Sequence, residues 1–311
     1  MIIINDWRDM PAELGGACVA MGNFDGVHLG HAEVLRWAKA RAQSIGAPLG
    51  LVTFEPHPRR FLNPTAAPFM IAARGQKEEA LERLGIERLY RLRFDADLAS
   101  MMADDFVRDV LWSGLKVREI SVGFDFNFGK NRSGSAESLK ALGDSLGMPV
   151  HVAEAVSALG QGKCSSSAIR AALIAGKPED AAAMLGRPFA IRGEVVHGQK
   201  IGRTIGFPTA NLELGDYVRP ADGIYATRTR LPDGRTFASA AYIGKRPTVN
   251  GVDERLEVNL FDFDEDLYGQ VLETEFIAFI RGDMKFNGLE ELKRQIFIDC
   301  TNIWDILRNR D

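Results

Sequence analysis

Along the first half of the chain the apolar positions alternate between two rhythms. "ACVAMG" (17–22) is a short apolar run of the kind that makes a buried strand, and "HAEVLRWAKARAQSIG" (31–46) spaces its apolar residues along one helix face before stopping at Gly46. "PLGLVTFEP" (48–56) is strand-like again. The same grammar predicts helix over 75–85, strand over 88–94, helix over 104–115 and strand over 118–124. Strands that alternate with helices imply a parallel sheet covered on both faces. A helical stretch over 166–186 completes this part.

Beyond it the rhythm changes. "RPFAIRGEVVHG", "GIYATRTRL", "TFASAAYIG", "RLEVNLF" and "VLETEFIAFI" are short segments separated by Gly, Pro and Asp-Gly signals, which predicts antiparallel strands forming a small barrel. Leu289, Leu292, Ile296, Ile303 and Ile306 fall near helical spacing, so a single helix over 288–308 is expected to close it. The change of pattern places a domain boundary at 186/187, dividing the chain into an α/β domain over 1–186 and a β domain over 187–311.

Composition narrows the function. A chain of 311 residues, 46% hydrophobic and 26% charged, has room for two globular domains with cores of their own. A net charge of -4 argues against a surface built to hold nucleic acid, while leaving space for a local basic pocket. Small-molecule partners are expected. The opening "MIIINDWRDMP" is too short an apolar run for a signal peptide and no later stretch would span a bilayer, so the expected location is the cytoplasm, without membrane partners. Cys18, Cys164 and Cys300 lack any paired spacing, which predicts reduced thiols rather than disulfides or a metal site.

Candidate chemistry gathers where a strand gives way to a helix. "MGNFDGVHLGHAEVL" (21–35) sets His28 and His31 in a glycine-bounded turn. A metal pair, a phosphate-binding turn and two merely packed histidines are the competing readings. A helix N-terminus attracts phosphate through its unpaired N–H groups and partial positive charge, two imidazoles add donors, and Gly30 would let a nucleotide come close. A zinc site on a helix instead wants histidines four apart with a third ligand, and HEXXH is absent. "CSSSAIRAAL" (164–173) supplies hydroxyls to cap a helix and Arg170 to grip a polyphosphate, or serines that only cap and an arginine that is only solvated. Neither GxxxxGK[ST] nor a strand-linked GxGxxG occurs.

The second half holds its own cluster. In "VVHGQKIGRTIGFPTANLEL" (195–214), Gly198, Gly202 and Gly206 would let a loop fold closely over a ligand, with Arg203 supplying charge. Thr209 and Asn211 offer hard oxygen donors suited to magnesium shared with nucleotide phosphates, unless the segment is a plain turn. In "RLEVNLFDFDEDLYG" (255–269), Glu257 projects opposite Leu256, Val258 and Leu260. It is either an exposed barrel residue or a carboxylate placed to take a proton from an attacking hydroxyl.

Gly22-Asn23-Phe24-Asp25-Gly26-Val27-His28-x-Gly30-His31, followed in order by "FEPHP", "GFDFNFG" and "SSSAIR", resembles the nucleotidyltransferase signature of the bacterial bifunctional riboflavin kinase/FAD synthetases. "GRTIGFPTANL", "GIYA", "PTV", "LEVNLFDFDEDLYG" and "FIRGDMKFNGLEELKRQI" are similar to the kinase module of the same family. Ser167 replaces the usual threonine, keeping the hydroxyl, and Asp283 stands where relatives often have Glu.

The resemblance implies a Rossmann-like nucleotidyltransferase domain that adenylylates FMN, and a β-barrel that phosphorylates riboflavin. ATP would be the second substrate of both, with Mg2+. It further implies that His28, His31 and Arg170 act on the nucleotide phosphates, with Gly22, Asn23, Phe24, Gly30, Ser166 and Ser167 around them. Phe54, His57, Pro58 and Asp125 would line the flavin, and Thr209 and Asn211 would hold magnesium. Glu257 would be the base, with Gly198, Gly202 and Arg203 in the flap over the nucleotide. Two other functions stay open: adenylylation of a different phosphorylated acceptor, and a flavin-binding regulatory protein with one or both activities lost.

Overall fold

Cys18–Met21 is buried along its whole length, so this strand must have cover on both faces. A computed structural model describes residues 1–8, 10–158, 162–198, 206–248 and 251–309. Six strands, β1 (Ile2–Ile4), β2 (Cys18–Met21), β3 (Leu49–Glu55), β4 (Arg88–Arg93), β5 (Glu119–Gly123) and β6 (Val150–Ala153), form a sheet in the order β1-β4-β3-β2-β5-β6. Every pairing in it is parallel.

Val19 and Met21 enter one apolar cluster with Phe106, Val110 and Leu139, whereas Cys18 and Ala20 enter another with Val34, Leu35, Ala38 and Leu81. Helices α1 (Leu29–Ile45) and α3 (Arg74–Arg83) therefore cover one face, and α4 (Ala136–Ser145) the other. Between α1 and α3 lies the short α2 (Pro58–Leu62). α1 stops where Gly46 turns left-handed at φ 63°, ψ 34°. All three cysteines carry free thiols.

The elements predicted over 17–56 and 75–124 are present, with three differences. β1 and β6 have no counterpart among the predicted strands: β1 is a three-residue edge strand with Ile2 and Ile3 exposed, too short to show a period. The helix expected over 104–115 is wound over Phe106–Gly114 with bonds five residues apart, such as Leu115 N–H to the Val110 carbonyl at 2.8 Å. The helical stretch over 166–186 is two helices, α5 (Ser166–Ile174) and α6 (Pro178–Leu185). Gly176 at φ 70° breaks it, and Pro178 starts the next helix where a missing N–H costs nothing.

Packing divides the chain into 1–67 with 74–165, and 68–73 with 166–311. α5 and α6 go with the second unit, where the Ala221 N–H donates to the Leu173 carbonyl at 3.0 Å. Phe69 and Met70 also belong there, both donating to the Asp216 carbonyl.

The second unit is built on a closed antiparallel barrel. β7 (Phe189–Val196), β8 (Ala210–Glu213), β9 (Gly223–Arg230), β10 (Thr236–Thr248), β11 (Gly251–Leu260) and β12 (Val271–Arg281) run β7-β8-β11-β10-β9-β12 around it. Ile191, Leu212, Tyr225, Ile243, Leu256 and Leu272 fill the interior. One patch of that interior is polar yet satisfied: Thr229 Oγ1 lies 2.8 Å from Ser239 Oγ and 3.2 Å from Thr274 Oγ1.

Helix α7 (Leu289–Arg308) closes the barrel with Ile303 and Leu307, which pack on Ala226 and Ala278. Leu289, expected on that face, is exposed, because the apolar contact begins about three turns further along, at Cys300. Buried Asp299 fixes the helix by accepting from Arg281 Nη2 at 2.8 Å and Gln295 Nε2 at 2.9 Å. Asp299→Ala leaves the half-buried guanidinium without its carboxylate, and an expected loss of about 2 kcal/mol follows. Urea unfolding of a full chain in which Trp7, Trp37 and Trp112 are replaced by Phe, so that Trp304 alone reports, measures it against the same background carrying Asp299.

Candidate active sites

The carboxyl ends of β2, β3 and β5 are neighbours in the sheet, and each leads into a predicted motif. After β2 the chain turns through Gly22–Val27 with Phe24 at φ 52° and Val27 at φ 46°. A β-branched residue in the left-handed region is strained by about 1–3 kcal/mol, which the surroundings must over-determine. Phe24 and Val27 are both buried, and the Gly22 N–H donates to the Val52 carbonyl at 3.1 Å.

The turn delivers His28 to the N-cap of α1. His28 Nδ1 accepts from the His31 N–H at 3.2 Å, and His31 Nδ1 accepts from the His28 N–H at 3.3 Å. This reciprocal cap is made by two imidazoles instead of the usual hydroxyl and carboxylate. The rings stack with centroids 3.6 Å apart, and Phe24 stacks on the far side of His31 at 4.4 Å.

Because each Nδ1 is an acceptor, the ring proton of each neutral imidazole resides on Nε2. The cap therefore fixes two N–H donors of defined tautomer at the positive end of a helix, which suits a phosphate and opposes a metal bound through Nδ1. Gly30 is also required by the fold itself. A Cβ there would meet His28 Cε1 at 3.0 Å and the Cys164 carbonyl at 3.1 Å, so the glycine makes room for the protein's own cap.

At the end of β3, His57 caps α2 by accepting from the Arg59 N–H at 3.1 Å, and Pro58 occupies the first helical position. Phe54 packs edge-on against Phe94 at 6.0 Å. Beyond β5, the Asp125 carboxylate is exposed and paired with Lys163 Nζ at 2.8 Å, while the same ammonium lies 4.0 Å over the Phe124 ring.

Ser166, Ser167 and Arg170 stand on α5, in the second unit. Arg170 Nε donates to the Phe69 carbonyl at 2.6 Å, and its guanidinium lies 5.5 Å from the Phe69 ring. One edge of the fork is thus used to set the plane of the group.

In the barrel, two motifs far apart in sequence become neighbours. Asn211 on β8 pairs with Glu257 on β11, and Glu257 pairs with Tyr242 on β10. Opposed residues have Cβ atoms about 5 Å apart and share a face, here the outer one, since Leu212 and Leu256 point inward. The Asn211 amide donates to the Thr209 carbonyl at 3.5 Å, and a Cβ on Gly198 would fall on that amide. Gly198 therefore lets the backbone lie against Asn211. Gly202 and Arg203 lie outside the described residues.

Two residues escaped the sequence reading. Arg255 and Asn259 flank Glu257 on the same face of β11. Arg255 Nη1 donates to the His197 carbonyl at 2.9 Å, and Asn259 Nδ2 donates to the Pro208 carbonyl at 2.6 Å. Residues on both sides of the carboxylate thus tie down positions 197 and 208 of the glycine-rich segment. Their alternation with Glu257 was visible in "RLEVN"; their acceptors were not.

A family model for FAD synthetase matches residues 10–168, and one for riboflavin kinase matches residues 185–307. The chain is 40% identical over 296 residues to the bifunctional riboflavin kinase/FMN adenylyltransferase of Haemophilus influenzae, covering 95% of this chain and 96% of that protein. It is 39% identical to the Bacillus subtilis protein of the same description, covering 91% and 90%, and 37% identical to that of Escherichia coli K12, covering 95% and 94%. A crystal structure from Streptococcus pneumoniae described as a macrolide-efflux protein superposes with a TM-score of 0.85 at 34% identity, covering 96% of each chain.

Proposed function

The chain belongs to the bifunctional riboflavin kinase/FMN adenylyltransferases, and from that premise we propose how its residues divide the work. It is a riboflavin kinase and an FMN adenylyltransferase, with riboflavin, FMN and ATP as substrates. In our reading residues 187–311 carry the kinase and residues 1–186 the adenylyltransferase.

The observation that carries the reading furthest is Glu257 opposite Asn211 on adjacent strands. In phosphoryl transfer, Glu257 accepts the proton of the ribityl 5'-hydroxyl as its oxygen bonds to the γ-phosphorus of ATP, and ADP leaves. The Thr209 hydroxyl and the Asn211 carbonyl are neutral hard donors, a set that fits Mg2+ held jointly with nucleotide phosphates. Bound there, magnesium would neutralise charge on the transferring phosphoryl group.

In adenylyl transfer, an FMN phosphate oxygen attacks the α-phosphorus of ATP and pyrophosphate leaves, so no covalent enzyme intermediate is needed. His28 and His31 offer Nε2–H donors to the phosphates, while Ser166, Ser167 and Arg170 hold the departing pyrophosphate. Phe54, His57, Pro58 and Asp125 border the flavin. The partners in this reading are small molecules, not nucleic acid or membrane. Among the described residues no helix is long and apolar enough to cross a membrane, and we assign the chain to the cytoplasm, where ATP is at hand.

Product analysis tests the reading: with FMN, ATP and Mg2+, the wild type is expected to form FAD and pyrophosphate in equal amounts, and absence of either would refute it. Asn211→Ala is expected to raise the Mg2+ concentration for half-maximal riboflavin phosphorylation by about tenfold. An unchanged magnesium titration would remove Asn211 from the metal.

A further inference from the structure

Helix α3 buries Leu81 and, one turn earlier, Lys77. The position calls for an apolar side chain, and Leu or Met would fill it without the desolvation that a buried ammonium suffers. Lys77 is only 6% exposed. Its ammonium reaches two groups at the site: the Asn23 carbonyl at 3.4 Å and Thr53 Oγ1 at 3.4 Å. Thr53 in turn donates to the same Asn23 carbonyl at 3.2 Å. The three groups close a triangle between α3, the end of β3 and the first residues of the strained turn.

We propose that Lys77 is a positioning residue for adenylyl transfer, its buried ammonium clamping the Asn23 carbonyl so that the turn leading to His28 keeps its geometry. This rests on the adenylyltransferase reading above. The peptide joining Asn23 to Phe24 is trans, so its N–H points away from Lys77, and a cation on the carbonyl strengthens that N–H as a donor. The charged groups facing Lys77 are Glu55 on β3, Asp25 in the turn, Glu78 on its own helix and Arg91 on β4. Burial pulls the lysine below its ordinary range despite the three carboxylates. The ammonium is thus the form present at low pH, and the clamp loosens as pH rises through the lowered value.

Lys77→Met keeps the length and removes the charge. The expected result is a fall in kcat for FMN to FAD of roughly a hundredfold, with the KM for ATP within about threefold and riboflavin phosphorylation unchanged. The wild type is expected to lose adenylyl transfer along an alkaline limb that is absent from Lys77→Met and retained by Thr53→Val, which preserves the cation. Thermal melting accompanies each assay, since misfolding would not erase one limb of a pH profile. Wild-type rates of FAD formation in Lys77→Met, or an alkaline limb that persists in it, would overturn the assignment while leaving the adenylyltransferase reading standing. No FAD from the wild type would remove that reading and the Lys77 role together.

Discussion

Glu257→Gln is expected to lower riboflavin phosphorylation by about a thousandfold while FMN is still converted to FAD at the wild-type rate. Glutamine has the shape of glutamate and keeps an oxygen opposite Asn211, but its amide is far too weak a base to take a proton from the ribityl hydroxyl. The barrel should tolerate the change, because Glu257 lies on the outer face of β11 and the inward neighbours Leu256 and Val258 are untouched. Chromatographic separation of flavins from parallel incubations with riboflavin and with FMN gives both rates. Equal loss of the two would show that the carboxylate supports the fold of the whole chain.

His31→Gln is expected to do the reverse, lowering FAD formation by about a hundredfold or more and leaving FMN formation intact. Glutamine at the third position of a helix can reach back to the N-cap N–H, so the cap of α1 survives in outline. What disappears is the ring between Phe24 and His28, and with it the donor whose tautomer the cap fixes. Loss of a cap alone would cost about 1 kcal/mol of stability, which does not explain a hundredfold loss of one activity in a folded protein. The same chromatographic assay, read beside the thermal melt, separates the two effects.

Much of the architecture is legible in the chain because burial imposes its period. The unbroken apolar run at Cys18–Met21 marks a strand covered on both faces, and the alternation in "RLEVN" marks one covered on a single face. The residues of the turn between β2 and α1 are legible too, since they are contiguous. Legibility ends where partners come from elsewhere. That Glu257 faces Asn211 follows from the register of β8 on β11, which no local pattern encodes.

Other features were hidden for particular reasons. Gly30 reads only as an approach for a ligand, and its second task, leaving room for His28 and Cys164, depends on the fold. Lys77 reads as one more charge on a polar helix, since nothing in "GQKEEALERLG" shows that this lysine turns inward. The helical pattern running through 166–186 conceals a break whose cues, Gly176 and Pro178, only become a turn once α6 packs beside α5. Phe54 offers a further case, because its place among Phe94 and Phe106 depends on residues 40 and more positions away.

Mixing the two variants in one tube tests directly whether the chain holds two separate sites. With riboflavin, ATP and Mg2+, Glu257→Gln alone should leave riboflavin unconverted and His31→Gln alone should stop at FMN. Together they should yield FAD, as FMN released by one protein is adenylylated by the other. A mixture that makes FMN but no FAD, under conditions where Glu257→Gln adenylylates added FMN, would contradict independent sites joined by a diffusing intermediate.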